Sequence, residues 1–148
     1  MLRISKLTDY AIMVMVELNE ARGEVLSAQT LAARSHLELP TVSKVLKLLS
    51  RAGLVQSFRG VNGGYSMDRE AATISVAEII AAIEGPIAMT ECSIEVGLCS
   101  QEHNCTLRGN WQRISSAVAR AMESVTLDEM SKPIRRFEPA LKIATLNA

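Results

Sequence analysis

Three cysteines, Cys92, Cys99 and Cys105, fall within one 14-residue window at the spacing C-x6-C-x5-C, and the chain holds no others. Thiolates are soft donors. In a reducing compartment a cluster of them in a loop is poorly placed for lasting disulfides and well suited to an iron-sulfur cluster or zinc. The spacing is unlike the paired C-x2-C of zinc ribbons, which favours iron-sulfur over zinc. Three is one short of the four protein ligands such sites normally take. The fourth must therefore come from His103 in the same loop, or from another helix or subunit. A cysteine enzyme is disfavoured, because His36 and His103 are the only histidines and no nucleophile motif accompanies them.

A second set of residues suits a different chemistry. Net charge is zero, but from Arg34 to Arg69 six cations (Arg34, Lys44, Lys47, Arg51, Arg59, Arg69) face two acids, Glu38 and Asp68. From Glu70 to Leu107 there is no Lys or Arg, and six glutamates accompany the cysteines. One stretch attracts phosphates and the other repels them. Lys44, Lys47 and Arg51 are expected to meet phosphates or guanine edges, with Thr41 and Ser43 close enough to touch bases or backbone. Arg59, Gly60 and Gly63 would form a second contact, since glycines let a backbone approach a narrow groove and carry an Arg into it.

The elements that must hold these residues follow from periodicity and punctuation. Residues 5–22 read as an amphipathic helix with Leu7, Ala11, Val14, Met15 and Leu18 on one face and Gly23 as its stop. Ser27 caps a short helix over Ala28–Ser35, and His36–Leu39 form a turn. Pro40 then opens a helix to about Ala52 that buries Val42, Val45, Leu46 and Leu49 and is ended by Gly53. A period-two run from Leu54 to Phe58, a turn over Arg59–Gly64 and a second run from Tyr65 to Asp68 predict a hairpin. Ser75 caps a helix over Val76–Glu84, closed by Gly85-Pro86. A loop over 87–104 carries the cysteines, and a long helix from Thr106 through Val125 presents Leu107, Trp111, Ile114, Val118, Ala121, Met122 and Val125 on one face. A short continuation spans Leu127–Met130.

The expected fold is therefore mainly α, a winged helix-turn-helix with a two-stranded wing plus a long C-terminal helix, in which the third helix enters the major groove. The expected divisions are a DNA-reading unit over 1–84, a cysteine loop over 85–105, the long helix over 106–131 and a flexible tail over 132–148. Only one Trp, two Tyr and two Phe are present, so Leu, Ile, Val, Met and Ala must build the core. No apolar run approaches the roughly 20 residues of a membrane span, and a cytoplasmic, membrane-free protein is expected.

Together these marks resemble the Rrf family of bacterial winged-helix transcriptional regulators, which includes regulators of Isc and Suf iron-sulfur assembly and a nitric-oxide-sensing repressor. The marks are Leu7-Thr8-Asp9-Tyr10-Ala11, the Gly53-Leu54-Val55 junction, the wing Arg59-Gly60-x-x-Gly63-Gly64-Tyr65, the helix over Ile79–Glu84, and three cysteines ahead of a long helix. The similarity covers about residues 1–130 and is greatest to regulators of Suf-type operons. It implies a homodimer joined through the long helix, Thr106–Val125, with its two wings on double-stranded operator DNA. It also implies a 2Fe-2S or 4Fe-4S cluster on Cys92, Cys99 and Cys105, with Asp9 of the other subunit as fourth ligand. The Isc regulator carries a His three residues beyond its third cysteine, where this chain has Arg108, so the fourth ligand lies between Asp9 and His103. Asp9 also fits as a first-turn acid favoured by the helix dipole. The alternative is a zinc- or thiol-redox-dependent winged-helix regulator or interaction protein with no cluster.

Overall fold

The computed structural model describes residues 3–134, so most of the tail expected over 132–148 lies outside the described residues. The chain forms α1 (Lys6–Glu20), α2 (Ala28–Ser35), α3 (Leu39–Arg51), β1 (Gln56–Phe58), β2 (Gly64–Ser66), α4 (Val76–Glu84), α5 (Glu91–Ile94), α6 (Arg108–Glu123) and α7 (Leu127–Ser131). Single-turn 3-10 helices lie at Ala71–Thr73 and Glu102–Asn104.

Local chemistry explains most boundaries. Ser5, Ser27 and Ser75 each turn a side-chain oxygen to the backbone N–H three residues on, satisfying one of the orphan donors that open a helix. At α4, Glu78 reaches back to the Ser75 N–H and completes a capping box. His36 closes α2 at φ 55°, and its N–H and that of Leu37 bond back to α2 carbonyls, so α3 restarts within a tight turn. Pro40 occupies the first turn of α3, where its missing N–H costs nothing. Gly53, at φ +74°, ends that helix.

One core joins these elements. Ala11, Val14, Met15 and Leu18 of α1 meet Leu31 of α2, Val42, Val45, Leu46 and Leu49 of α3, and Ile79 of α4, all fully buried. Burying each large aliphatic side chain contributes roughly 1.5–3 kcal/mol, so the three-helix unit has ample packing energy to hold α3 rigidly.

Three features depart from the pattern. The hairpin strands are shorter than periodicity suggests: Leu54 and Val55 are both buried and continue the core, and Gln56, Ser57 and Phe58 are all exposed. A strand that projects beyond the core has no buried face to impose alternation. Leu26 forms a bridge with Tyr65, their N–H and C=O groups exchanging bonds of 2.9 and 2.8 Å, which adds a third extended segment to the wing. Finally, the last helix is broken. Ser124 ends α6, the Thr126 side chain caps α7, and Leu127 of α7 is fully buried in the main core. The junction is pinned by Val76 N–H to Val125 C=O (2.9 Å) and Leu127 N–H to Ile74 C=O (2.8 Å). The segment over 106–131 thus contains an outward helix and a returning anchor.

Candidate DNA interface and cysteine segment

Successive helical rotations of 100° carry Lys44, Lys47 and Arg51 to one ridge of α3, opposite the buried stripe of Val42, Val45, Leu46 and Leu49. All three cations are exposed, while Thr41 and Ser43 flank them half-buried. Arg59 is exposed at the base of the wing turn. None of these four cations is in an ion pair with the described residues, so their charge remains free for a polyanion. Arg69, counted in the same basic stretch, has a different role. Its guanidinium donates to the Glu78 carboxylate at 2.8 Å, a bond that holds the Glu78 carboxyl below the usual carboxylate range, and it also donates to the Thr73 carbonyl.

The wing pairs Gln56 with Ser66, Ser57 with Tyr65 and Phe58 with Gly64. Its turn is closed by Gly63 N–H to Gly60 C=O at 3.0 Å. The two site glycines serve different needs. Gly60 takes φ +107°, and a Cβ on Gly63 would lie 2.3 Å from the Phe58 carbonyl oxygen. Gly64 meets the Leu26 backbone as closely, at 2.4 Å. Val61 stands fully exposed at the wing tip, and Asn62 beside it is exposed too. Neither residue is marked out in the sequence, because a lone Val in a turn carries no pattern.

The cysteine segment is more ordered than a loop. Cys92 lies buried in α5, its Sγ 3.2 Å from Thr90 Oγ1 and its carbonyl accepting from Gln112 of α6. Just ahead of it, Met89 N–H donates to the buried Ser115 hydroxyl of α6 at 2.9 Å. Cys99 and Cys105 are half-buried, and all three thiols are free. His103 is exposed on the 3-10 turn between them. The donors have the softness and number that an iron-sulfur cluster asks for. As folded, however, no three His, Cys, Asp or Glu side chains among the described residues converge on a point that a metal ion can occupy.

Asp9 is separate again. It is exposed on the first turn of α1 and borders a cleft of about 440 Å³ walled by Ile12, Val76, Ile80, Met122, Val125 and Met130, with no cysteine in its lining. Its neighbour Thr8 is the structural residue of that motif. Thr8 is fully buried, and its hydroxyl donates to Glu84 at the end of α4, as does the Ser5 N–H (3.0 Å). These donors, Thr8 foremost, hold the Glu84 carboxyl below its ordinary range.

A three-helix unit with an exposed cationic ridge on its third helix and a glycine-turned wing beside it is a winged helix-turn-helix, a DNA-binding class. Comparison with known proteins narrows the class: the family model described as "Rrf2: Iron-dependent Transcriptional regulator" matches residues 4–133. The chain belongs to the Rrf2 family of transcriptional regulators. It is 30% identical over 131 residues to the HTH-type transcriptional regulator CymR of Bacillus subtilis, covering 88% of this chain and 90% of that relative. It is 29% identical over 133 residues to IscR of Xenorhabdus nematophila, covering 88% and 80%. The solved structure of B. subtilis CymR, described as the global cysteine regulator, superposes with a TM-score of 0.66 at 31% identity over 88% of this chain and 97% of that one. These relatives are transcriptional regulators and not enzymes. Among the described residues no helix is long and apolar enough to cross a membrane.

Proposed function

We propose that this DNA-binding regulator reads a palindromic operator as a homodimer and that the state of its cysteine segment sets its affinity, with an iron-sulfur cluster on Cys92, Cys99 and Cys105 as the signal-bearing group. The observation that carries the reading is the joint arrangement of two surfaces: cations on α3 and the wing that are unpaired among the described residues, and three free thiols on a segment hydrogen-bonded to α6. Lys44, Lys47, Arg51 and Arg59 neutralise phosphates or reach base edges, Thr41 and Ser43 approach the groove at the start of α3, and Gly60 and Gly63 shape the wing turn. Dimerisation is supported by α6, which exposes Trp111 and Ile114, with Leu107 exposed just ahead of it.

The thiols would hold the cluster after the segment around Cys99 and Cys105 closes on Cys92, with Asp9 of the second subunit as first choice of fourth ligand and the exposed His103 as second. When bound, such a cluster supplies a covalent staple that is lost under iron limitation or oxidation. The chain's own residues do the transmission. Met89, Cys92, Gln112 and Ser115 tie the segment to α6, and the α6–α7 junction ties α6 to the start of α4. A coupling of about 1–3 kcal/mol between the two conformations suffices for a roughly 5- to 150-fold change in operator affinity. By resemblance, the targets are genes of Suf-type iron-sulfur assembly.

A second reading is a regulator that responds through zinc or through the thiols themselves. The likeness to a relative described as a global cysteine regulator favours it. Anaerobic purification discriminates the two. Visible thiolate-to-iron absorption with iron and sulfide in stoichiometric amounts supports the cluster. A colourless protein that takes up neither on reconstitution contradicts it and leaves zinc or free-thiol regulation.

A further inference from the structure

Between Ile94 and Leu107 the chain has little apolar packing to hold it in place. Ile94, Val96, Leu98 and Leu107 are all at least half exposed. Yet Glu102, in the middle of this stretch, is a buried acid, its side chain 4% exposed. Burying a carboxylate is costly unless it is paired and hydrogen-bonded. Its partners span the segment. The Glu102 carboxylate accepts from Gly97 N–H through one oxygen; the other, which accepts no hydrogen bond, relies on its ion pair with the Arg108 guanidinium at the start of α6, 2.7 Å away, and the Glu102 N–H donates to the Cys99 carbonyl at 3.2 Å. Arg108 is the first cation after Arg69, so the cation-free stretch offers Glu102 no alternative partner of its own.

We propose that Glu102 and Arg108 form a clasp that positions Cys99 and Cys105 and transmits their state to α6, an inference that deepens the reading of the cysteines as the sensing group. The Glu102 carboxylate gathers the turn before Cys99 and the first residue of α6, while the backbone N–H of the same residue holds the Cys99 carbonyl. Opening the clasp frees both half-buried thiols, whereas Cys92 is held independently by α5 and Gln112. Arg108 therefore acts as a positioning residue, occupying by ion pairing the point from which the long helix departs.

The test uses the full-length protein, metal-free and anaerobic, with iodoacetamide alkylation of each thiol followed by peptide mapping. Glu102→Gln and Arg108→Met are each expected to raise the rates at Cys99 and Cys105 by about tenfold, as local opening dictates, and to leave Cys92 unchanged. The double variant should react no faster than either single one, and Arg108→Lys should fall between wild type and Arg108→Met. Arg108 is partly exposed, so its replacement serves even if the Glu102 variant folds poorly. Alkylation of Cys99 should shift the emission of Trp111, one turn into α6, in wild type but not in Arg108→Met. Unchanged rates in the variants, or a general rise that includes Cys92, would overturn the clasp. An absent Trp111 response in wild type would overturn its link to α6. None of these readouts requires iron, so failure to bind a cluster and failure of the clasp are separately visible.

Discussion

Lys47 and Arg51 project from the α3 ridge with no protein partner among the described residues, so removing either should weaken DNA binding without harming the fold. For a cation on phosphate, replacement by Ala should reduce the slope of log affinity against log salt by about one. Titrations of a fluorescent operator at several salt concentrations provide the check, and an unchanged slope would mean that the residue does not meet phosphate. Gly63→Ala is a sharper case. The added methyl has nowhere to go against the Phe58 carbonyl oxygen, so the wing turn must open and operator affinity should drop while the helical circular dichroism is retained. Thr8 was legible in the sequence only as one letter of a motif, although it is the fully buried polar residue that ties α1 to α4 through Glu84. Thr8→Val removes that hydrogen bond, and because water can reach the exposed Glu84 carboxylate in its place it should cost only about 0.5–1.5 kcal/mol in chemical denaturation.

Helices were the most legible elements, since their boundaries are written in side chains. The Ser27 and Ser75 caps and the Gly85 stop place α2 and α4 at the residues expected, because capping is a local bargain between a hydroxyl and nearby N–H groups. The Leu26 bridge, α5 and the return of α7 to the core were not legible. Leu26 pairs with a residue far along the chain, α5 is a single turn docked on α6, and Leu127 returns to a core that no local pattern announces. Two outcomes belong to this scale. Leu127→Ala should destabilise the whole protein by roughly 2–5 kcal/mol, the range for an emptied core position, although the residue lies far along the chain from the DNA-reading helices. Glu84 has a folded pKa lowered by Thr8 and Ser5. Its contribution is therefore present above the ordinary carboxylate range and is lost as pH falls through the lowered value. Glu84→Gln should melt lower at neutral pH and show a shallower loss of Tm on acidification. Parallel melting curves at each pH would contradict the assignment.

The protein divides into a rigid reader built on one core and an acidic, cysteine-bearing segment hung on an outward helix. The reader was legible in the sequence because cations and apolar positions alternate at helical spacing on α3. The cysteine arrangement was legible only as proximity along the chain. As folded, no three metal-donor side chains among the described residues converge, and the Glu102–Arg108 pair within the cysteine segment has no signature in spacing. Association belongs to this scale as well. Trp111 is 38% exposed on the apolar side of α6, so Trp111→Glu should shift the species seen by analytical ultracentrifugation towards monomer and abolish binding to a palindrome. The most direct measurement compares operator affinity of one anaerobic preparation before and after reconstitution with iron and sulfide, at fixed salt. A change of about 5-fold or more, in either direction, is predicted from the coupling expected of such a switch. Equal affinities, with iron and sulfide demonstrably bound, would contradict it.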